Sequence, residues 1–172
     1  WGIDIIVSDK QQLECCDHLP EIDRIYVDLQ FFDKRDIISF MKNRPEYGYV
    51  LPPIMRSPII DELNDLPLVS CASIIVRNID ELAYLKFIGY KGEIVADYTL
   101  YAMNDLAAHF LYKVYDNIRI TFPVELNREQ IHSLCYADDI GVLNVYGYQP
   151  LMIMAQCFNS NIHGCNHKSE RY

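Results

Sequence analysis

Short runs of β-branched and aromatic residues alternate along this chain with amphipathic, helix-like segments. Seven such runs occur, at residues 3–8, 24–29, 48–53, 72–78, 93–100, 117–126 and 140–148. Apolar runs of this kind are typical of strands buried on both faces, as in parallel sheets. One run follows another at intervals of roughly 20 to 25 residues. The pattern therefore predicts repeated βα units joined by right-handed crossovers.

Three segments between the runs predict helices, over 78–89, 104–114 and 127–138. The first places Leu82 and Leu85 near helical spacing and ends at a glycine-containing stretch. The second opens on Asn104, a favourable N-cap residue. The third opens on Asn127 with Gln130 three residues later, which predicts a capping box.

Two architectures fit this repetition, an open doubly wound sheet and a (β/α) barrel. No G-x-G-x-x-G turn follows any of the runs, which disfavours a nucleotide-binding open sheet. Polar residues instead recur at the ends of the runs: Asp28, Arg56, Arg77, Asn78, Asp97, Tyr98, Glu125 and Tyr146. Such positions form the active face of a barrel, and a complete barrel takes about 250 residues. We predict a single α/β domain over residues 1–172, a partial TIM-type barrel with mainly parallel strands.

The charged strand-end residues are candidates for catalysis and binding. Asp97 and Glu125 are candidate general acids or bases, although each also suits a structural role as a loop anchor or a helix-entry carboxylate. Arg56 and Arg77 suit a carboxylate or phosphate ligand, or else an ion pair with Asp97 or Glu125 across the barrel mouth. We expect Asn78, Tyr98 and Tyr146 to add substrate contacts beside them.

The net charge and the distribution of cysteines limit which partners and which cellular compartment are expected. The formal net charge is −9, and no Lys/Arg cluster of the kind that binds nucleic acid is present. The six cysteines are dispersed, so a disulfide framework is not indicated and the reducing cytoplasm is predicted. No apolar run approaches the roughly 20 residues of a membrane span. The chain begins with Trp1 and not with Met, and we expect it to be a fragment of a longer protein.

The last sixteen residues, 157–172, form a cysteine-containing tail with Cys157, His163, Cys165 and His167. The spacing of the two thiols is wider than in a zinc site, where cysteine pairs lie two to four residues apart. An iron–sulfur cluster commonly takes four thiolates, of which this tail supplies two. The residues alone leave open whether they are free thiols or half of a metal site.

Four segments carry a family resemblance: 49–56, 74–104, 120–131 and 145–157. They resemble the collagenase-like peptidases, peptidase family U-thirty-two, and most of all a divergent branch found in long clostridial proteins. Gly147, Cys157 and Ser160 match the family signature. Other residues stand at four of its positions, namely Val142, Asn144, Tyr148 and Pro150.

The resemblance implies a barrel fold and, for the intact protein, iron–sulfur-dependent hydroxylation of RNA or a related substrate. Cys157 and Cys165 would be ligands of a [4Fe-4S] cluster whose other ligands lie beyond Tyr172, so this fragment alone would lack the cluster. A small anionic substrate is also implied, because some relatives use prephenate as oxygen donor. The alternatives are a peptidase or other hydrolase, as the family name states, and a non-catalytic binding domain. An incomplete barrel also leaves sheet edges through which the fragment is expected to self-associate.

Overall fold

The computed structural model describes residues 2–150 and 152–153. Seven strands form one sheet: β1 Asp4–Val7, β2 Arg24–Asp28, β3 Gly48–Val50, β4 Ser73–Val76, β5 Glu93–Ala96, β6 Ile118–Thr121 and β7 Gly141–Val142. Each strand pairs in parallel with the next one along the chain. A doubly wound sheet would reverse its strand order at a switch point. The fold is therefore a partial (β/α) barrel, as predicted.

One helix follows each of the first six strands. They are α1 Lys10–Cys16, α2 Lys34–Asn43, α3 Ser57–Asn64, α4 Ile79–Phe87, α5 Asp105–Val114 and α6 Arg128–His132. The predicted caps are confirmed, because the side chains of Asn104 and Asn127 accept hydrogen bonds from the first turns of α5 and α6. Gln130 completes the capping box of α6. Gly89 follows α4 with a φ of 74°, which lets the chain turn out of the helix.

The third predicted helix is wrong in length. It was expected over 127–138, whereas α6 ends at His132. The N–H of Cys135 donates to the Asp105 carboxylate on α5, at 2.8 Å, and so is taken from the helical ladder. The Leu134 N–H turns back to Ile131, three residues away, instead of continuing the α-helical pattern.

The sheet is curled, and its two faces have different cores. The convex face packs against the helices and buries alternate strand residues such as Val27, Ile74 and Ile94. The concave face has a smaller apolar layer formed by Tyr26, Val50, Ile75 and Val95, with Val142 packed against it. A salt bridge joins Asp4 on β1 to Arg119 on β6 at 2.9 Å, across strands that are five places apart in the sheet.

Strands β1 and β7 are the edges of the sheet within the described residues. The expected self-association through such edges stays a prediction. Among the helices of the described ranges, none has the length and apolar character that crossing a membrane requires.

Candidate active site

The carboxyl ends of the central strands bring a group of polar side chains together, here called the mouth cluster. Its members are Asp28, Arg77, Glu81, Asp97 and Thr99. Asp28 is the last residue of β2, Arg77 and Asp97 directly follow β4 and β5, Thr99 lies two residues further on, and Glu81 lies in α4. Parallel strands necessarily place these ends at one edge of the sheet, which is the edge where barrel enzymes hold their active sites.

Arg77 is held from three sides. Its guanidinium donates to the Asp28 carboxylate at 2.7 Å, and the Asp28 side chain is almost fully buried. Its backbone N–H donates to Glu81 Oε2 at 2.5 Å. Its backbone carbonyl accepts from the Thr99 hydroxyl at 2.7 Å. The backbone of Arg77 is therefore fixed by residues of its own and the next βα unit, and its charge by a residue at the end of β2.

Asp97 is half-buried beside this arginine. Thr99 Oγ1 lies 3.2 Å from Asp97 Oδ2, and the Asp97 N–H donates to the carbonyl of Val76 at 2.8 Å. Burial raises the pKa of Asp97 above the ordinary aspartate range, and the positive charge of Arg77 opposes that rise. A carboxyl with a raised pKa at a strand end is a candidate general acid or base.

Glu81 is fully buried. Its Oε1 accepts from the side-chain amide of Asn78 at 2.8 Å, in addition to the bond from the Arg77 N–H. Burial raises its pKa to about 8, against the lowering effects of the Arg77 N–H and guanidinium, while the charge of Asp97 raises it further. The mouth cluster thus sets one guanidinium against three carboxyl groups, two of which hold protons more tightly than usual.

The structure does not bring all the predicted strand-end residues into this cluster. Arg56, Glu125 and Tyr146 are exposed, and Arg56 is the N-cap residue of α3. The predicted convergence of Arg56 with Arg77 is not found among the hydrogen bonds and ion pairs of the described residues. Among the described residues Arg77 pairs with Asp28, and the expected ion pair with Asp97 or Glu125 is not found. The charge of Arg77 nonetheless lowers the pKa of Asp97 against the effect of burial.

Two other predicted contact residues lie beside the cluster. Asn78 caps α4 by accepting from the Glu81 N–H at 2.9 Å, and it donates to the carbonyl of Pro53 at 3.0 Å. Tyr98 is half-buried, and burial raises the pKa of its hydroxyl, with the charges of Asp97 and Glu125 adding to the effect. Substrate contact by either residue stays a prediction, and Asn78 has a structural role in any case.

The predicted metal ligands Cys157 and Cys165 lie outside the described residues. Within the described part of the chain, no group of three or more His, Cys, Asp or Glu side chains is arranged to hold a metal ion. The four cysteines found there are free thiols. They do not complete a four-thiolate set: Cys71 is buried, and burial raises its pKa to about 12.

A second polar group, here called the floor network, lies at the opposite, amino ends of the strands. Its members are Asp4, Arg24, Tyr26, Ser73, Glu93 and Arg119. Arg119 donates to Glu93 at 2.8 Å and to Asp4 at 2.9 Å, and Arg24 pairs with the same Glu93 oxygen. The Tyr26 hydroxyl joins both arginines and Ser73, at 3.0, 3.1 and 2.8 Å.

This network and the role of Glu81 were not predicted from the sequence, although both leave a signal in it. A charged residue interrupts the apolar run of β6 at Arg119, and charged residues begin β2 and β5. Glu81 stands three residues after Asn78 and just before an apolar stretch, which is a capping-box pattern. Its burial had no such signal, because the tertiary neighbours of α4 decide it.

Comparisons with models of protein families, with curated proteins and with solved structures found no match to this chain. Within the described part of the chain, the fold and the mouth cluster are the structural basis for a functional assignment.

Proposed function

We propose that this chain forms the reaction face of a (β/α)-barrel enzyme in which Asp97 transfers a proton to or from a substrate. The observation that carries the proposal is the half-buried Asp97 carboxyl, with its raised pKa, at the end of β5 beside Arg77. In this role the backbone N–H groups of Tyr98 and Thr99 hold the Asp97 carboxylate, and Arg77 stabilises its ionised form. The part of the substrate that reacts at Asp97 would be uncharged and able to form hydrogen bonds, because the cluster has more carboxyl groups than cations.

The specific activity we propose for the intact protein is iron–sulfur-dependent hydroxylation of RNA or a related substrate, in the cytoplasm. Its support is the resemblance to the collagenase-like family together with the strand-end position of the mouth cluster. The exposed Arg56 at the start of α3 would contact a phosphate or another anionic group at the rim. Cys157 and Cys165 would supply two cluster thiolates. The described residues alone do not offer the ligand set of an iron–sulfur cluster. The proton transfer proposed for Asp97 therefore does not depend on the iron–sulfur cluster.

The cluster is tested on the full-length protein by anaerobic reconstitution with iron and sulfide. We expect a brown, visibly absorbing species that Cys157→Ser or Cys165→Ser removes. Cys135→Ser is the matched control, since Cys135 is an exposed free thiol outside the tail and its replacement should leave the colour intact. Retention of the colour in both tail variants would overturn the ligand assignment.

The role of Asp97 is tested by mass spectrometry of RNA incubated with the reconstituted protein and an oxygen donor. Asp97→Asn should lower the rate of oxygen addition by roughly 100-fold or more, the usual contribution of a general acid or base. Asp139→Asn removes the same charge from an exposed position and should leave the rate unchanged. A peptide-cleaving activity that Glu125→Gln abolishes would instead support the hydrolase alternative.

A further inference from the structure

Two βα turns of this protein have the same local hydrogen bonding. After β1, Asp9 caps α1, and Gln12 at the third helical position accepts from the N–H of Ser8 at 2.8 Å. After β4, Asn78 caps α4, and Glu81 at the third helical position accepts from the N–H of Arg77 at 2.5 Å. In both turns the accepted N–H belongs to the residue that directly follows the strand.

The two turns differ in charge and burial. Gln12 is neutral and exposed, whereas Glu81 carries a titratable carboxyl and is fully buried. Gln12 shows that a neutral amide is sufficient to hold this turn. Burying a carboxylate is costly unless its charge and its hydrogen bonds are compensated. Turn formation therefore does not account for a carboxyl group at position 81.

The surroundings of Arg77 indicate what the carboxyl does. Glu81 holds the N–H of the Arg77 residue, Thr99 holds its carbonyl, and Asp28 holds its guanidinium. Building on the acid–base role given above to Asp97, we propose that Glu81 is the positioning residue of the mouth cluster. It fixes the backbone of Arg77, and its ionisation sets how the Arg77 guanidinium lies between Asp28 and Asp97.

The hydrogen bonds of Glu81 favour its ionised form. Both carboxylate oxygens accept, one from the Arg77 N–H and the other from the Asn78 amide. A protonated Glu81 has an additional O–H that meets these two donors, so one of the two bonds is lost. The charged groups that act on Glu81 are Arg77, at the end of β4, and Asp97, at the end of β5. Because burial raises the pKa of Glu81 to about 8, the change falls near neutral pH.

The test is an NMR titration of the full chain without substrate, which follows the backbone N–H and the side-chain Nε–H of Arg77. In the native chain both signals should move with a common midpoint near pH 8. Glu81→Gln keeps an acceptor for the Arg77 N–H, as Gln12 does for Ser8, but it cannot titrate. Its Arg77 signals should therefore stay constant over the same range.

Gln12→Ala is the matched control, because it removes the equivalent bond in the first βα unit. It should weaken the α1 turn and leave the titration of Arg77 unchanged. Asp97→Asn serves as a second variant should Glu81→Gln fail to fold, since loss of the Asp97 charge should move the Arg77 midpoint to lower pH. Arg77 signals that do not titrate in the native chain, or that titrate alike in the native and Glu81→Gln chains, would overturn the proposal.

The result of this titration is independent of the result of the activity test for Asp97. The titration reports on Arg77 in the absence of any reaction, so it can succeed when Asp97→Asn has no effect on turnover. It can equally fail when Asp97 proves essential, in which case Glu81 would be a helix-capping residue only.

Discussion

The concave face has polar side chains at both ends of its strands, and the two groups differ in charge balance. In the floor network, two arginines face two carboxylates, and each charge lies close to an opposite one. Burial alone would raise the pKa of Glu93, but the guanidinium groups of Arg119 and Arg24 hold it below the usual range. In the mouth cluster one arginine faces three carboxyl groups, and the pKa values of Glu81 and Asp97 are raised.

This difference separates structural from chemical roles. A carboxylate with a lowered pKa stays ionised throughout the physiological range and can only hold neighbouring groups in place. A carboxyl with a raised pKa keeps its proton to a higher pH than an ordinary carboxyl does, and can therefore exchange a proton with a substrate. The floor network ties β1, β2, β4, β5 and β6 together, while the mouth cluster carries the titratable groups.

Breaking the floor network should have the largest effect on stability. Arg119→Met leaves Glu93 and Asp4 partly buried with less compensating charge, because Arg119 donates to both. We expect the free energy of unfolding to fall by about 3 kcal/mol, as for a buried ion pair that loses one partner. Urea unfolding at neutral pH measures the change.

A surface ion pair provides the comparison for that variant. Lys10 pairs with Asp36 at 2.7 Å, but the Lys10 side chain is 61% exposed. Lys10→Met should therefore lower the free energy of unfolding far less than Arg119→Met does, because an exposed ion pair contributes little to stability. Equal losses for the Arg119 and Lys10 variants would mean that the floor network contributes no more than an ordinary surface pair.

The floor network also depends on the absence of a side chain at position 48. A Cβ at Gly48 would lie 2.4 Å from the Tyr26 ring, which occupies the space beside β3. Gly48→Ala should displace this ring and its hydroxyl from both arginines, at a cost of about 2 kcal/mol, within the range of overpacked cores. In the double variant with Tyr26→Phe the hydroxyl is already absent, so a double-mutant cycle on unfolding free energies measures how much of the cost passes through it. Strict additivity of the two costs would show that Gly48 acts independently of the network.

The mouth cluster should control how stability depends on pH. Glu81 has a raised pKa in the folded chain, so its contribution is complete below the ordinary carboxyl range and is lost as the pH rises through about 8. Between these limits Glu81 contributes at most about 1.4 kcal/mol per pH unit to the slope of the unfolding free energy against pH. Glu81→Gln should remove this share from the unfolding free energy, whereas Gln12→Ala should lower stability equally at all pH values. A native slope retained in Glu81→Gln would assign the pH dependence to other groups.

The pattern of apolar and polar residues was sufficient for the architecture but not for the site. All seven strands lie within the seven runs, because strands buried on both faces leave an apolar signal that needs no knowledge of their partners. Arg77 and Asp97 were found for a related reason, since strand ends in a parallel sheet share one edge. The pairing of Arg77 with Asp28 joins residues that are 49 positions apart, and Glu81 is buried by the tertiary neighbours of α4. Such contacts depend on the curl of the sheet and the docking of α4, which the local pattern does not specify.

The smallest expected effect concerns two tyrosines on neighbouring strands. The Tyr26 hydroxyl on β2 joins the floor network, whereas the Tyr49 hydroxyl on β3 is buried with no hydrogen-bond partner among the described residues. An unpaired buried hydroxyl is a cost, and replacing it with hydrogen is nearly neutral or stabilising. Tyr49→Phe should therefore raise the free energy of unfolding by up to about 1 kcal/mol, while Tyr26→Phe should lower it by about 1 kcal/mol. Thermal and urea unfolding of the two variants give the comparison. A loss of stability in Tyr49→Phe would mean that the Tyr49 hydroxyl has a partner, such as a buried water, and that β3 carries a polar contact on its helix-facing side.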